Sequence, residues 1–118
     1  MPILIASLST GKGTWGHVSR LIGDHEWNKV FLITNEFGKE NFTKNDKTEL
    51  IIVDPNQGIK ELQQDIYSKL KDKVKGTDIF LNIVSGTGKE HMALLAALIK
   101  LGLGINMIAL TKDGIEEI

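Results

Sequence analysis

Ile3-Leu4-Ile5-Ala6-Ser7-Leu8-Ser9-Thr10-Gly11-Lys12-Gly13-Thr14 and Asp78-Ile79-Phe80-Leu81-Asn82-Ile83-Val84-Ser85-Gly86-Thr87-Gly88-Lys89 are two versions of one arrangement: an apolar run that breaks into a turn of glycines, hydroxyls and a lysine. The apolar runs do not alternate with polar residues, as expected of parallel strands covered on both faces. A strand that ends in such a turn and then opens a helix presents free amide groups, the positive end of the helix dipole and a nearby ammonium. Together these suit phosphate or another anion, and a pair of them suggests a ligand with more than one phosphate.

Outward from these stretches the same alternation continues. Trp15–Gly23 carries Val18, Leu21 and Ile22 at helical spacing, with Gly23 placed to end the helix. Lys29–Thr34 reads as a second buried strand and Asn35–Phe42 as a short helical turn held by Phe37 and Phe42, followed by a polar loop over Thr43–Thr48. Glu49–Val53 is a third strand, stopped by Asp54-Pro55 because proline lacks the ladder donor and restricts its predecessor. Ile59, Leu62, Ile66, Leu70 and Val74 recur every three or four residues, which predicts an amphipathic helix over Ile59–Val74. Glu90–Leu101 is a helix apolar over most of its surface, and Leu94, Leu95, Leu98 and Leu101 could meet a second subunit as well as the sheet. Ile105–Leu110 is a fifth strand, and Gly114–Ile118 is placed to pair at an edge. The chain therefore reads as one α/β domain over residues 1–118, with a mostly parallel five- or six-stranded sheet and a ligand site at the carboxyl ends of the strands.

Composition narrows the function classes. Fourteen Lys plus Arg against fifteen Asp plus Glu give a formal charge of -1, unlike the broad basic face of a duplex DNA binder. The absence of cysteine excludes disulfides, thiolate catalysis and Cys-ligated metal clusters. His17, His25 and His91 form no metal-binding spacing, so no metal and no cofactor is expected. The apolar start is too short for a membrane span and lacks the flanks of a signal peptide, which points to a soluble cytoplasmic protein with no membrane partner.

Known nucleotide motifs fit poorly. A P-loop would need glycine at Ile83 and Ser or Thr at Glu90. Gly11, Gly13 and Gly16 formally match the dinucleotide G-x-G-x-x-G spacing, but the acidic residue after the second strand could only be Glu36, and the chain has little room for a separate substrate domain. Phosphate-ester or glycosyl chemistry would call for grouped carboxylates, whereas Asp24, Asp54 and Asp78 are scattered. A ligand-free structural dimer would account for Gly23 and Gly102 and leave the repeated Ser/Thr-Gly-Lys chemistry unexplained.

The order of parts resembles the CRISPR-associated Rossmann-fold (CARF) domains. Ile3–Gly11 is similar to that family's first strand and turn, and Asn82, Ser85-Gly86-Thr87-Gly88-Lys89 and Met92 are similar in kind and order to its fourth-strand motif. Gly88, inserted between Thr87 and Lys89, departs from it. The resemblance implies a Rossmann-like three-layer sandwich and a homodimer that sets both turns around a shared two-fold cleft. It implies a cyclic oligoadenylate ligand, cyclic tetra-adenylate in the first place, in type III CRISPR defence, and a standalone sensor, since no effector domain follows Ile118.

Two roles remain within the family, a binding module or sink for the messenger and a metal-independent ring nuclease. In the second, a ribose 2′-hydroxyl attacks its own phosphate and leaves a 2′,3′-cyclic phosphate end. The candidate catalytic residues are Ser9, to align ribose and phosphate, Lys12 and Lys89, to neutralise the phosphorane, and His17, as acid or base. Candidate ligand contacts are Thr10, Gly11, Gly13 and Thr14 in the first turn, Asn35 and Glu36 after the second strand, and Ser85, Gly86, Thr87, Gly88 and His91 around the second turn. Trp15 is placed to stack on an adenine or to serve as core or dimer interface. The reading from a different class is a non-catalytic regulatory or interaction module that binds a mononucleotide.

Overall fold

A computed structural model describes residues 2–118 and forms a Rossmann-like three-layer α/β sandwich. The strands are β1 (Ile3–Ser7), β2 (Lys29–Thr34), β3 (Thr48–Ile52), β4 (Asp78–Asn82), β5 (Gly104–Thr111) and β6 (Gly114–Glu117); the helices are α1 (Trp15–Gly23), α2 (Glu36–Asn41), α3 (Ile59–Leu70) and α4 (Gly88–Lys100). A single 3-10 turn, Lys12–Thr14, leads into α1. The six strands lie in the order β3-β2-β1-β4-β5-β6. Every pairing is parallel except that of β6, which returns antiparallel along β5.

The non-alternating strands are buried on both sides, as their composition requires. In β1, Ile5 joins the core under α3 and α4 with Phe31, Leu62, Ile66, Leu81, Leu94 and Leu98. Its neighbours Leu4 and Ala6 face the opposite core with Val18, Leu21, Trp27 and Leu32. One strand thus anchors two cores, since successive side chains point to opposite faces. Trp27 fits into the second core because its indole N–H donates to the Leu21 carbonyl at 2.7 Å, leaving no buried donor unpaired.

Several boundaries shift from the sequence reading for local reasons. β4 ends at Asn82 because the Asn82 side chain accepts from the Val84 amide at 3.2 Å, turning the backbone out of the ladder. α4 opens at Gly88, two residues early, because Thr87 and Glu90 form a capping box. α3 ends at Leu70, and the Val74 amide still donates to the Leu70 carbonyl at 3.1 Å, so Val74 packs on the core from a turn.

The apolar surface of α4 also divides differently from expectation. Leu94 and Leu98 are fully buried against the sheet, while Leu95 and Leu101 are half-buried. The side chains left to solvent are Met92 and Ile99, 63% and 67% exposed. Any second subunit on this helix would meet Met92 and Ile99 rather than Leu94 and Leu98. No helix among the described residues is long and apolar enough to cross a membrane.

Candidate functional site

The strand order reverses between β1 and β4, the crevice where open α/β sheets bind ligands. Both glycine turns leave the sheet at that point and are tied together there. The Ser9 amide donates to Ser85 Oγ at 2.9 Å, the Ser7 hydroxyl donates to the Ser85 carbonyl, and His91 Nε2 donates to the same carbonyl at 2.9 Å. Ser85, expected as a ligand contact, is 1% exposed and is instead the knot between the turns. His91 likewise closes the second turn from within. Gly86 must be glycine, since it has φ +111° and an added Cβ would lie 3.1 Å from Glu90 Oε1 and from His91 Nε2.

An open cleft of about 590 Å³ lies over these turns. Six of the residues anticipated from sequence line it: Ser9, Thr10, Asn35, Glu36, Thr87 and Lys89. Phe37, Pro55, Asn56 and Glu90 complete the wall. Pro55, part of the Asp54-Pro55 stop, and Asn56 after it belong to the loop at the carboxyl end of β3, a placement readable from the strand pattern. Glu90 carried a signal too, the T-x-x-E spacing of a capping box. Below the cleft a recess of about 20 Å³ with mostly apolar walls shares Asn35, Pro55 and Glu90 with it.

The polar groups of the wall are held in place by the protein itself. Lys89 Nζ donates to the Pro55 carbonyl at 3.0 Å, which bridges α4 to the loop after β3 and leaves further ammonium protons for a ligand. Glu90 Oε1 accepts from the Thr87 amide at 2.7 Å, and Thr87 Oγ1 accepts from the Glu90 amide at 3.2 Å. The Thr87 hydroxyl therefore caps α4 and retains one proton to donate. Asn35 Oδ1 caps α2 by accepting from the Gly38 amide at 3.0 Å. The Ser9 carbonyl accepts from the Trp15 indole at 2.8 Å, and Ser9 Oγ accepts from the Gly11 amide at 3.3 Å. Trp15 packs edge-on against Phe42 and tilted against Phe37, so it is half-buried in an aromatic cluster.

Lys12, expected in the site, does not line the cleft: its ammonium lies over the Trp15 ring at 5.6 Å and over the Phe37 ring at 5.5 Å. Lys89, Glu36 and Glu90 line the cleft and Lys12 lies over Phe37 in its wall, so the charges of the region balance and an anion would be held by directed donors more than by net field. Gly11, Gly13, Thr14, Gly86 and Gly88 lie in the turns without lining the cleft. An added Cβ at Gly11, Gly13 or Gly16 would meet nothing within 4 Å, and none of the three has positive φ. The close helix packing that motivates glycine in a dinucleotide fingerprint is therefore missing here.

His17 sits elsewhere, among the half-buried residues of α1. Its Nε2 accepts from the Leu110 amide at 3.2 Å and from Asn82 Nδ2 at 3.1 Å. With two donors aimed at Nε2, that nitrogen holds the lone pair, and the neutral ring ties α1 to β4 and β5. Its expected role as a proton shuttle in the cleft gives way to a structural one, and burial lowers its pKa from the ordinary 6.5. An unfolded chain takes up this proton more readily than the folded one, so stability is full above about pH 6.5 and falls as pH drops below it. Urea midpoints at pH 7.5 and 5.5, test conditions about one unit either side of that value, should fall on acidification. The fall should be smaller in His17→Gln, whose amide oxygen accepts without titrating; an equal fall would place the proton elsewhere.

Among the described residues no three His, Cys, Asp or Glu side chains come together as a metal site. No protein-family model and no curated protein matches this chain. Among solved structures, it is similar to the C-terminal domain of a hydrogenase from Pyrococcus furiosus, with a TM-score of 0.51 over 90% of this chain and 89% of that one. At 12% identity this likeness shows the fold alone.

Proposed function

We propose that this chain is a nucleotide-sensing domain that binds a cyclic oligoadenylate, cyclic tetra-adenylate in the first place, in a cleft shared by two copies. The observation that carries the reading is the convergence of both glycine turns and the end of β2 on one cleft at the strand-order switch. A ring of alternating sugars and phosphates needs many directed donors and acceptors in a symmetric array. Hydroxyls of Ser9, Thr10 and Thr87, the Lys89 ammonium and the Asn35 amide supply them from one subunit, and a two-fold axis would double them without adding net charge. The resemblance to CARF domains supports the ligand class and a cytoplasmic place in type III CRISPR defence.

The same cleft would serve ring cleavage by 2′-hydroxyl attack, with Lys89 from the wall and Lys12 from its place over Phe37 against the phosphorane and Ser9 aligning the ribose. His17 is occupied by the fold, so in-line positioning and charge neutralisation would have to carry the rate. A mononucleotide module is the second reading. It is favoured by the cleft's volume within a single chain, about 590 Å³, which lies in the range of small-molecule sites.

The test is to titrate protein in molar excess with labelled cyclic tetra-adenylate in EDTA, following binding by gel shift and products by chromatography. Binding of intact ligand is expected, and Lys89→Ala should weaken it by about tenfold or more, the usual scale for a charge-assisted hydrogen bond. Linear products with cyclic phosphate ends would make the protein a ring nuclease. Binding of AMP in place of the ring would favour the mononucleotide module, and no binding of either would overturn the nucleotide reading.

A further inference from the structure

The geometry points to Phe37 as a stacking platform for a nucleobase, a role that rests on the nucleotide reading above and adds to it the site where a base is read. Phe37 is the second residue of α2 and the aromatic side chain in the cleft wall, 37% exposed. Its packing explains only part of its position. Trp15 supports it at 5.9 Å with the rings tilted by 60°, and Trp15 is itself fixed by the hydrogen bond from its indole to the Ser9 carbonyl and by Phe42. The ring is therefore braced from behind while part of it stays open to the cleft.

The groups around it match the parts of a nucleotide. The Lys12 ammonium lies over the Phe37 ring, 5.5 Å from its centroid, so a stacking base would take the place of that exposed cation on the ring and leave the ammonium beside it for the phosphate of the same nucleotide. Asn35 and Glu36 share the wall and immediately precede Phe37, which sets an amide and a carboxylate where the edge of a stacked base can be read. A phosphate-only ligand would have no use for the ring. Base stacking on an aromatic side chain tolerates any base, so Phe37 supplies affinity while Asn35 and Glu36 are the groups able to discriminate.

Calorimetric titration of the full chain with cyclic tetra-adenylate, AMP and ribose 5-phosphate tests this, using Phe37→Leu and Phe37→Tyr. Leucine keeps apolar packing against Trp15 and removes the π-face, whereas tyrosine keeps the ring. Phe37→Leu should weaken binding of the adenine-bearing ligands by roughly 5- to 150-fold, the span for loss of one stacked base. Phe37→Tyr should bind close to wild type, and ribose 5-phosphate should respond to neither change. Adenine-ligand binding by Phe37→Leu equal to wild type overturns the platform and leaves the nucleotide reading standing. AMP binding that depends on Phe37, with no binding of the ring, supports the platform and overturns the cyclic ligand. Failure of the wild type to bind either adenine ligand overturns both.

Discussion

Asn82→Leu, close to isosteric, should destabilise the fold by about 3 kcal/mol, because it strands the buried Ile108 carbonyl together with two half-buried groups, His17 Nε2 and the Val84 amide, and a buried polar group left unpaired costs about 1–3 kcal/mol. Asn82 is 2% exposed. Its amide group donates to the Ile108 carbonyl at 2.9 Å and to His17 Nε2 at 3.1 Å, and its oxygen accepts from the Val84 amide at 3.2 Å. One side chain thus joins α1, β4, β5 and the start of the second glycine turn. Leucine fills the space and answers none of these partners. Asn82→Asp is the sharper variant: the carboxylate still accepts from Val84 but can donate to neither Ile108 nor His17. Its penalty should ease on acidification into the carboxylate range, where a protonated acid donates again. Urea denaturation of the three proteins across pH measures both effects, and a midpoint of Asn82→Leu equal to wild type would show the network to be energetically idle.

That network marks how far the sequence could be read. Strand and helix identities were legible because unbroken apolar runs such as Ile3-Leu4-Ile5-Ala6 and the 3.6-residue period of Leu62, Ile66 and Leu70 are written in the positions themselves. The cleft at the carboxyl ends of the strands was legible from the two strand-turn-helix stretches, since chain direction in a parallel sheet places both turns at one edge. Side-chain pairing across long separations was not. Nothing local to His17 announces Leu110 or Asn82, and nothing local to Ser85 announces Ser7 and Ser9. Residues that look ready for chemistry by type, a histidine in a first helical turn or a serine in a glycine turn, were thereby consumed by the fold. Conversely, Glu90 stands in the sequence where a P-loop would need Ser or Thr, and Phe37 as an anchor of a short helical turn, yet both line the cleft in three dimensions.

Gly38→Ala should damage stability and, with it, the proposed nucleotide binding, for a reason that is steric. Gly38 is a buried residue in the middle of α2, and a Cβ there would lie 1.9 Å from Thr34 Oγ1, with Thr34 Cβ and Cγ2 also near, at 3.1 and 3.3 Å. Thr34 has no free rotation to escape: it is 3% exposed, and its hydroxyl donates to the Leu8 carbonyl at 2.7 Å, linking the ends of β1 and β2. Relief requires either the loss of that bond or the outward movement of α2. Overpacking and an orphaned carbonyl each cost on the order of 1–3 kcal/mol, partly offset by alanine's helix propensity of about 1 kcal/mol, so a net loss of about 2 kcal/mol is expected. If α2 moves, it carries Asn35, Glu36 and Phe37 with it, and a shift of about 1 Å in positioning groups can cost on the order of a hundredfold in function. Thr34→Ala removes the obstructing hydroxyl, so Gly38→Ala should cost less in that background than in the wild type, a coupling that a double-mutant cycle reads directly. Additive losses would instead mean that α2 accommodates the methyl without touching Thr34, and the cleft wall would then keep its place.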